Sequence, residues 1–415
     1  MRNSDIVVGL DIGSGYIRTV IAVPGKDREP LRVIGVGTAP SAGIRRGSVV
    51  DMDEAVRAII ESVSRAEGMA GAQVSRATVA LGGSEIFFRD TVGVVAVGKV
   101  DGEVIEDDVN RVLEQARNSA MISPNQEIFH ILPKQYRLDD EKNIKDPLGM
   151  NGVRLEVSAL LIGDASQHTK NIARTLEQSG IGLERFVVAP LAVAESVIEH
   201  RDRELGVVLL DIGASTTSMT VFEEGDILHV KILPVGSGHV TNDIAIGLRT
   251  SIGVAESVKL RYGHAVPSEV DKREHIDLSI FDSKEDGEVE RYHVAEIAEA
   301  RFEELFHFVD IELKSIGRSG LLPAGVVLTG GGSKLPGLVD LAKRTLRLPA
   351  QIGYPKALGG VLDRVDDPEF ATVIGLVLWA ESNMDYQGSE KSWTSFVSLG
   401  GLSKKLSHLL KKFLP

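Results

Sequence analysis

The sequence predicts an α/β protein that is built from two similar halves and ends in an amphipathic helix. Three observations support this prediction. A strand–turn–strand pattern occurs twice, about two hundred residues apart; a later strand runs into a helix through three consecutive glycines; and the last fifteen residues combine leucines with lysines.

Composition narrows the class of protein. The chain has 415 residues, of which 43% are hydrophobic and 25% charged, so it is long enough for two or three domains with cores of their own. It has no cysteine, which excludes disulfides, thiolate catalysis and cysteine-ligated zinc. No run approaches the roughly 18 to 20 apolar residues that a spanning helix needs, and no apolar signal segment opens the chain, so we expect a cytosolic protein. A formal net charge of −13 argues against nucleic acid as a partner.

The repeat is the most informative feature. "IVVGLDIGSGYIRTVIAV", which begins at Ile6, returns as "GVVLLDIGASTTSMTVFE", which begins at Gly206. Each copy is typical of a buried strand, a tight turn of small residues and a second strand of β-branched residues. A single copy would be explained by a tight turn alone, but two copies in the same context favour a function at the turn.

Small residues at these turns let successive backbone N–H groups approach a phosphate closely, and hydroxyls add donors. An acid just before each turn can hold Mg²⁺ through water molecules that the ion retains. The predicted phosphate-binding residues are Gly13, Ser14 and Gly15 in the first turn and Gly213, Ala214, Ser215 and Thr216 in the second, with a further hydroxyl at Thr217. The predicted metal-binding acids are Asp11 and Asp211.

A third turn lies in "GVVLTGGGSKLPGLVDLAKRTL". We expect a strand at 326–328, glycines at 330–332 and an amphipathic helix from about Pro336. Such a turn lets a base or ribose lie against bare backbone, although a generic strand–helix connection would also explain it. Between the second and third turns, Glu256 and Lys259 lie one helical turn apart; a surface ion pair would account for them equally well.

These motifs resemble those of the actin, Hsp70 and sugar-kinase superfamily. Within it, "KDPLGMNGVRLE", "PVGSGHVTNDIAIGL", "AESVKLRYG", "LTGGGSKLPG" and the lysine-rich end are similar to the bacterial FtsA family of actin-like cell-division proteins. The resemblance implies two lobes that close on ATP, with a small α+β subdomain inserted in the first lobe. The implied domains are a first-lobe core at 1–84 with 165–202, the inserted subdomain at 85–164, a second-lobe core at 203–230 with 305–382, its small subdomain at 231–304, a flexible linker at 383–400 and an amphipathic membrane-targeting helix at 401–415.

The resemblance also implies roles for the residues of the site. The first two turns would bind the phosphates of ATP with Mg²⁺, and Gly330, Gly331, Gly332 and Ser333 would contact the adenosine. Glu256 and Lys259 match the positions beside the ribose and base. Gly236 and Gly238 lie in the matching turn at a strand end.

One departure bears on catalysis. Members of the superfamily that hydrolyse ATP well often carry Glu or Gln where this chain has Ala189, before Pro190. Glu195 lies six residues further along the same predicted helix, turned away from Ala189, and we interpret it as structural. No catalytic residue is assigned, and we expect at most a slow ATPase.

The family implies several partners. The subdomain at 231–304 would capture the C-terminal peptide of FtsZ, with Arg301 as the exposed basic candidate, although pairing of Arg301 with Glu304 or a neighbour explains that residue as well. Self-association into filaments and contacts with other division proteins are also implied. The alternatives are a sugar-kinase-like phosphotransferase and an actin-like pilus-assembly adaptor of the same superfamily.

The C-terminal fifteen residues favour the division protein over the adaptor. They contain four lysines and no acid, in a chain that is otherwise acidic. About fourteen residues cannot span a bilayer, so we expect a helix that lies in an anionic membrane interface, at the cytoplasmic face of the cell membrane and the division site. A helix docked on its own domain is the alternative. The predicted apolar face is Leu402, Leu406, Leu409, Leu410 and Phe413, and the cationic side is Lys404, Lys405, Lys411 and Lys412.

Overall fold

A computed structural model describes residues 6–25, 30–283, 285, 287–360 and 365–384. The predicted membrane helix at 401–415, and all of the predicted linker beyond residue 384, lie outside the described residues. In the part that the structure describes, each helix is too short or too polar to cross a membrane.

The strands are numbered in chain order. They are β1 (Val7–Ile12), β2 (Tyr16–Val23), β3 (Arg32–Pro40), β4 (Ile44–Arg45), β5 (Ser48–Val49), β6 (Arg76–Leu81), β7 (Phe87–Ala96), β8 (Gln126–Leu138), β9 (Glu141–Ile144), β10 (Arg154–Ala165), β11 (Gly182–Val188), β12 (Val207–Ile212), β13 (Thr217–Glu223), β14 (Asp226–Leu233), β15 (His275–Asp277), β16 (Glu288–Glu290), β17 (Gly325–Thr329), β18 (Ala350–Ile352) and β19 (Gly359–Gly360).

The α-helices are α1 (Met52–Ala70), α2 (Glu106–Ser119), α3 (Ser166–Gln178), α4 (Ala189–Val197), α5 (His200–Leu205), α6 (Ser237–Leu248), α7 (Ile252–Tyr262), α8 (Arg291–Ser315), α9 (Leu338–Leu346) and α10 (Ala371–Met384). Short 3₁₀ turns lie at Pro267–Glu269, Leu278–Ile280, Gly331–Lys334 and Pro368–Phe370.

The described chain divides into two compact units. The larger contains residues 6–86 and 167–384, and the smaller contains residues 87–166. The larger unit holds both copies of the sequence repeat, and the smaller one interrupts it between β6 and α3.

Two sheets of the larger unit share one topology, which confirms the duplication. The first has the order β11-β6-β1-β2-β3-β19, and the second has the order β14-β13-β12-β17-β18. In each, the repeat forms an antiparallel hairpin extended by a third antiparallel strand, and two parallel strands follow on the other side. The short strand β19 adds to the edge of the first sheet. The hairpin registers also match, because Asp11 pairs with Arg18 as Asp211 pairs with Ser218.

Helices cover the first sheet closely because glycines leave room for them. A Cβ on Gly9 of β1 would lie 2.8 Å from the carbonyl oxygen of Val373, and one on Gly375 would lie 1.8 Å from that of Ala192. Only glycine permits such approaches between backbones. Helix α10 therefore packs tightly against both β1 and α4.

The second half has a core to which four helices contribute. Helices α6, α7, α8 and α9 contribute to one cluster with the inner residues of β12, β13 and β17. Phe306 of α8 is fully buried there. The tight side-chain packing of such a cluster holds α6 and α7 in place beside the ends of the strands.

The smaller unit is the α+β insertion that the sequence predicts. Its sheet has the order β7-β10-β8-β9, with β7 and β8 antiparallel to β10 and β9 antiparallel to β8, and α2 packs on one face. A Cβ on Gly93 would lie 2.1 Å from the carbonyl oxygen of Val112, so the helix lies directly on the strand. The buried carboxylate of Asp108 accepts from the backbone N–H groups of Gly98 and Ile105, which fixes the start of α2.

One predicted boundary differs. The sequence predicts a helix from about Pro336, but α9 begins at Leu338. Gly337 has a φ of 78°, a left-handed conformation that a continuous helix does not contain. The glycines before it form the 3₁₀ turn Gly331–Lys334 instead.

Candidate functional site

The two turns of the repeat face each other. A Cβ placed on Gly15 of the first turn would lie 3.0 Å from the Cβ of Ala214 in the second turn. The second turn closes on itself, because the N–H of Gly213 donates to the carbonyl of Thr216 across 3.0 Å. Two predicted phosphate-binding segments, nearly two hundred residues apart in the chain, thus come together in the larger unit.

Helix α6 braces the second turn. The N–H of Ser237 donates to the carbonyl of Gly213 (2.9 Å), and the N–H of Gly238 donates to that of Ala214 (2.8 Å). A Cβ would lie 2.6 Å from the Gly213 carbonyl oxygen if placed on Gly236, and 2.7 Å from that of Ala214 if placed on Gly238. Both glycines are therefore needed for the helix to reach the turn.

The third turn closes over the end of β12. Gly330 has a φ of 79°, and a Cβ there would lie 2.3 Å from Oδ1 of Asp211. A Cβ on Gly332 would lie 2.4 Å from Cγ2 of Ile212. Gly331 differs from both, because it is exposed and a Cβ on it would meet nothing closer than 3.9 Å. A ligand can therefore approach the backbone at Gly331.

Two hydroxyl residues of the predicted turns, Ser333 and Thr217, bond within the protein. Ser333 is fully buried and its hydroxyl donates to the carbonyl of Gly330 (2.7 Å), so that hydroxyl closes the third turn. Thr217 is also buried, and its hydroxyl donates to the carbonyl of Val235 (2.8 Å). The prediction of Thr217 as a phosphate donor is wrong, because the alternation of the strand turns its side chain into the core. Ser14, Ser215 and Thr216 remain partly accessible.

The acids before the first two turns form an electrostatic pair. Asp11 and Asp211 are the penultimate residues of β1 and β12, and both are partly accessible. Burial raises the pKa of Asp11 to about 6, and burial together with repulsion from Asp11 raises the pKa of Asp211 to about 7. The guanidinium of Arg18 opposes both shifts.

These acids fit a divalent cation. Two carboxylates that repel each other in a partly dehydrated site would both be stabilised in the ionised form by Mg²⁺. Magnesium is usually bound by one or two carboxylates, retained waters and the phosphates of a substrate, and this site offers the two carboxylates. Asp11 and Asp211 would hold the ion through its waters.

Arg18 is a part of the site that the sequence patterns did not single out. It is 8% exposed and lies in β2, where its guanidinium is 5.2 Å from the ring centroid of Tyr16 and 5.5 Å from that of Phe370. It also donates to the carboxylate of Glu369. The sequence did contain a signal for Arg18, because a cationic residue is unusual in a strand that is otherwise apolar and buried.

The predicted pair Glu256 and Lys259 is present and partly buried. Lys259 is 7% exposed, and its ammonium donates to Glu256 (2.7 Å) and to the hydroxyl of Thr241 (2.8 Å). That hydroxyl donates in turn to Glu256, and Lys259 also reaches the carbonyl of Ser237 (3.4 Å). The pair therefore links α7 to the start of α6, next to the second turn.

The helix that begins at Ala189 presents no free carboxylate to the site. Ala189 is 8% exposed at the N-terminus of α4. The carboxylate of Glu195 accepts from Arg203 and from Lys356, each across 3.3 Å. These contacts agree with the structural interpretation of Glu195.

Arg301 is engaged within its own subdomain. Its Nε and Nη2 donate to the two carboxylate oxygens of Asp243 on α6, at 2.6 and 3.1 Å, and its Nη1 donates to Glu304. Of the two acids, Glu304 is the more exposed. The structure thus shows the neighbour pairing that the sequence left open, and contact of Arg301 with a peptide stays a prediction.

Comparison with solved structures shows the type of fold. The fold is similar to the structure titled "PilM-PilN type IV pilus biogenesis complex", with a TM-score of 0.67 and 19% identity over 90% of this chain and 98% of that one. It is also similar to MreB5 of Spiroplasma citri bound to ADP, with a TM-score of 0.53 and 12% identity over 93% of this chain and 100% of that one. Duplicated sheets with facing turns and these similarities show an actin-like fold.

Sequence relatives define the family. A family model described as "Cell division protein FtsA" matches residues 208–375, and one described as "SHS2 domain inserted in FTSA" matches residues 83–163. The chain is 35% identical to the cell division protein FtsA of Pseudomonas aeruginosa, over 96% of this chain and 95% of that protein. It is 36% identical to the FtsA of Bacillus subtilis, over 94% and 86%. The chain therefore belongs to the FtsA family of cell division proteins.

Proposed function

We propose that this cell-division protein binds ATP with Mg²⁺ in the site formed by the three turns. The approach of Gly15 to Ala214 carries the proposal, because it brings together two turns whose backbone N–H groups could bind the phosphates of one nucleotide. Successive N–H groups in such turns bind phosphate oxygens. The exposed backbone of Gly331 would receive the adenosine, with Glu256 and Lys259 beside the ribose and base. The relative MreB5, whose structure is titled as bound to ADP, has the same fold.

The chain's own residues would orient the nucleotide. The two turns would hold the phosphates through backbone N–H groups and the hydroxyls of Ser14, Ser215 and Thr216. Asp11 and Asp211 would accept hydrogen bonds from waters around Mg²⁺, which supplies charge neutralisation to the phosphates.

We propose that nucleotide is mainly a ligand that sets lobe closure and self-association, and is hydrolysed slowly. Ala189 stands where a water-orienting carboxylate would be needed, and Glu195 is held by Arg203 and Lys356. General-base assistance is normally worth roughly 10² to 10⁴-fold in rate.

At the cell membrane, we propose that the chain polymerises and tethers the FtsZ ring to the cytoplasmic face, and that it recruits further division proteins. Membership of the FtsA family and the cationic, leucine-rich residues 401–415 support this role. The similarity to the pilus complex shows the fold alone, whereas the relatives at 35% and 36% identity are division proteins. The family therefore favours the division role over the pilus-adaptor and phosphotransferase alternatives.

For the FtsZ peptide, we propose a site on the subdomain at 231–304 that includes Arg301. Asp243 would keep Nε and Nη2 of Arg301 in position, while a carboxylate of the peptide would replace the more exposed Glu304 at Nη1. A rigidly held guanidinium binds a carboxylate with little loss of side-chain entropy.

The membrane role is tested with vesicles. The full chain should sediment with anionic vesicles and not with neutral ones, and electron micrographs should show filaments on the anionic vesicles when ATP is present. Truncation after Gly400, or Leu409→Asp combined with Phe413→Asp, should abolish sedimentation while ATP binding is kept. Sedimentation that survives both changes would contradict the membrane role.

A further inference from the structure

A chain of hydrogen bonds runs from the first turn to helix α3. The N–H of Gly47 donates to Oγ of Ser14 across 3.0 Å, and the carbonyl oxygen of Gly47 lies 2.9 Å from Nε2 of His168. A carbonyl oxygen can only accept, so Nε2 carries the proton and donates it. His168 is 5% exposed, which keeps water away from this contact. Gly47 is therefore held from both sides.

Gly47 has little freedom to move. It lies at the tip of the short hairpin of β4 and β5, with a φ of 84°. A Cβ there would lie 2.5 Å from the carbonyl oxygen of Gly82 and 2.7 Å from Cα of Gly83. Its backbone thus packs closely against Gly82 and Gly83, which follow β6, and the hydrogen bond from His168 fixes the direction of its carbonyl.

The hydroxyl of Ser14 has one proton to donate and two lone pairs that accept. Because the N–H of Gly47 occupies one lone pair of the Ser14 oxygen, the hydroxyl proton points away from Gly47. That proton can then be donated to an acceptor bound at the first turn. This inference rests on the nucleotide site proposed above. We propose that His168 is a positioning residue that acts through Gly47 to orient the Ser14 hydroxyl toward the phosphates of the bound nucleotide.

We expect the loss of affinity to be limited to ligands that carry a phosphate. A hydrogen bond to a charged group contributes more to affinity than one between neutral groups, and losing its preset orientation forfeits only a part of that contribution. We expect a donor-free residue at 168 to weaken ATP binding by about 5- to 20-fold. Adenosine, which has no phosphate, should bind with unchanged affinity.

Calorimetric titration of the full chain with Mg²⁺-ATP and with adenosine tests this. His168→Met removes the donor at similar length, and His168→Gln keeps an N–H donor near the position of Nε2. Ser14→Ala and the double variants with both His168 substitutions complete the cycle. Adenosine binding and ligand-free thermal unfolding report whether each variant is folded.

Three results would support this relay from His168 through Gly47 to Ser14. ATP affinity should fall selectively in His168→Met and should recover to within about threefold in His168→Gln. Neither His168 substitution should cause a further loss once Ser14 is Ala. Additive losses in both double variants, or equal losses for adenosine and ATP, would overturn it while leaving the nucleotide site intact. If His168→Met does not fold, His168→Leu, which also lacks a donor, replaces it in the cycle with Ser14→Ala, and its loss of ATP affinity must vanish when Ser14 is Ala. Failure of the unsubstituted chain to bind ATP would overturn the proposed function itself, and the relay with it.

Discussion

The guanidinium of Arg18 donates to the carboxylate of Glu369 across 2.7 Å, although the two residues lie 351 positions apart in the chain. Arg18 belongs to the hairpin of the first turn, whereas Glu369 follows the carbonyl of Pro368, which accepts from the N–H of Gly330 in the third turn. The bridge therefore joins the first half of the site to the backbone behind the third turn.

Replacing Arg18 with Met should lower the free energy of unfolding by about 1 to 3 kcal/mol, because Glu369 loses its partner and the acids Asp11 and Asp211 lose a nearby cation. Lys343→Met is the matched control; Lys343 pairs with Asp340 on an exposed helix face, where such a change is worth within about 0.5 kcal/mol. Urea denaturation measures both. Equal effects of the two substitutions would show that the bridge is only a surface pair.

The raised pKa values of Asp11 and Asp211 predict how the free energy of unfolding depends on pH. The pKa of Asp11 is raised to about 6 and that of Asp211 to about 7, so the folded state binds more protons than the unfolded chain between about pH 4 and 7. The free energy of unfolding that comes from this pair therefore falls as pH rises through that window.

Asp211→Asn should flatten this dependence and stabilise the nucleotide-free protein at pH 7.5, by about 1 to 3 kcal/mol, since the repulsion between two partly desolvated carboxylates is removed. The same variant should bind ATP without its usual dependence on Mg²⁺. Thermal unfolding from pH 5 to 8 checks the first expectation, with Asp140→Asn on the surface of the inserted unit as the control. A pH profile identical to that of the unsubstituted protein would show that Asp211 is not a titrating member of the site.

Much of this architecture is predictable from the sequence because it depends on local patterns. The two hairpins follow from apolar runs that end in Asp-Ile-Gly, and the third turn follows from three glycines after a strand. The duplicated topology follows from the repeat.

The remaining features depend on contacts between distant segments, which spacing does not reveal. Arg18 meets Glu369 from 351 positions away, and His168 reaches Gly47 from 121 positions away. The hydroxyls of Thr217 and Ser333 are suitable in type, but strand alternation and the closure of a turn direct them inward. Residue identity predicts what a side chain can bind, and only the packed structure shows what it does bind.

ATP turnover should be slow, on the order of one per minute or less. Because Glu195 is held by Arg203 and Lys356, Glu195→Gln should leave the rate unchanged within about twofold. Phosphate release under saturating Mg²⁺-ATP measures both. A rate near the typical enzyme value of about 10 per second, or a large loss in Glu195→Gln, would mean that the water-orienting group lies in α4 after all.

Glu304 should compete with the FtsZ peptide for Arg301. Glu304→Gln should tighten binding of the C-terminal peptide by about 2- to 5-fold, and Arg301→Met should weaken it by about tenfold or more, as expected for loss of a charge-assisted hydrogen bond. Fluorescence anisotropy with a labelled peptide gives both values, and Glu288→Gln, an exposed change on β16, is the control. If neither substitution changes the affinity, Arg301 only joins α8 to α6 and the peptide binds elsewhere.

The most direct test of the nucleotide site is titration of the Gly331→Leu variant with Mg²⁺-ATP. Gly331 is exposed in the third turn and an added side chain meets nothing closer than 3.9 Å, so the variant should fold while the leucine fills the space for the adenosine. Gly68→Leu is the matched control, because a Cβ on that helical glycine meets nothing within 4 Å. We expect ATP affinity to fall by at least about 30-fold, or about 2 kcal/mol, in Gly331→Leu and to stay unchanged in Gly68→Leu. Unchanged ATP affinity in a folded Gly331→Leu variant would contradict a nucleotide site at the three turns.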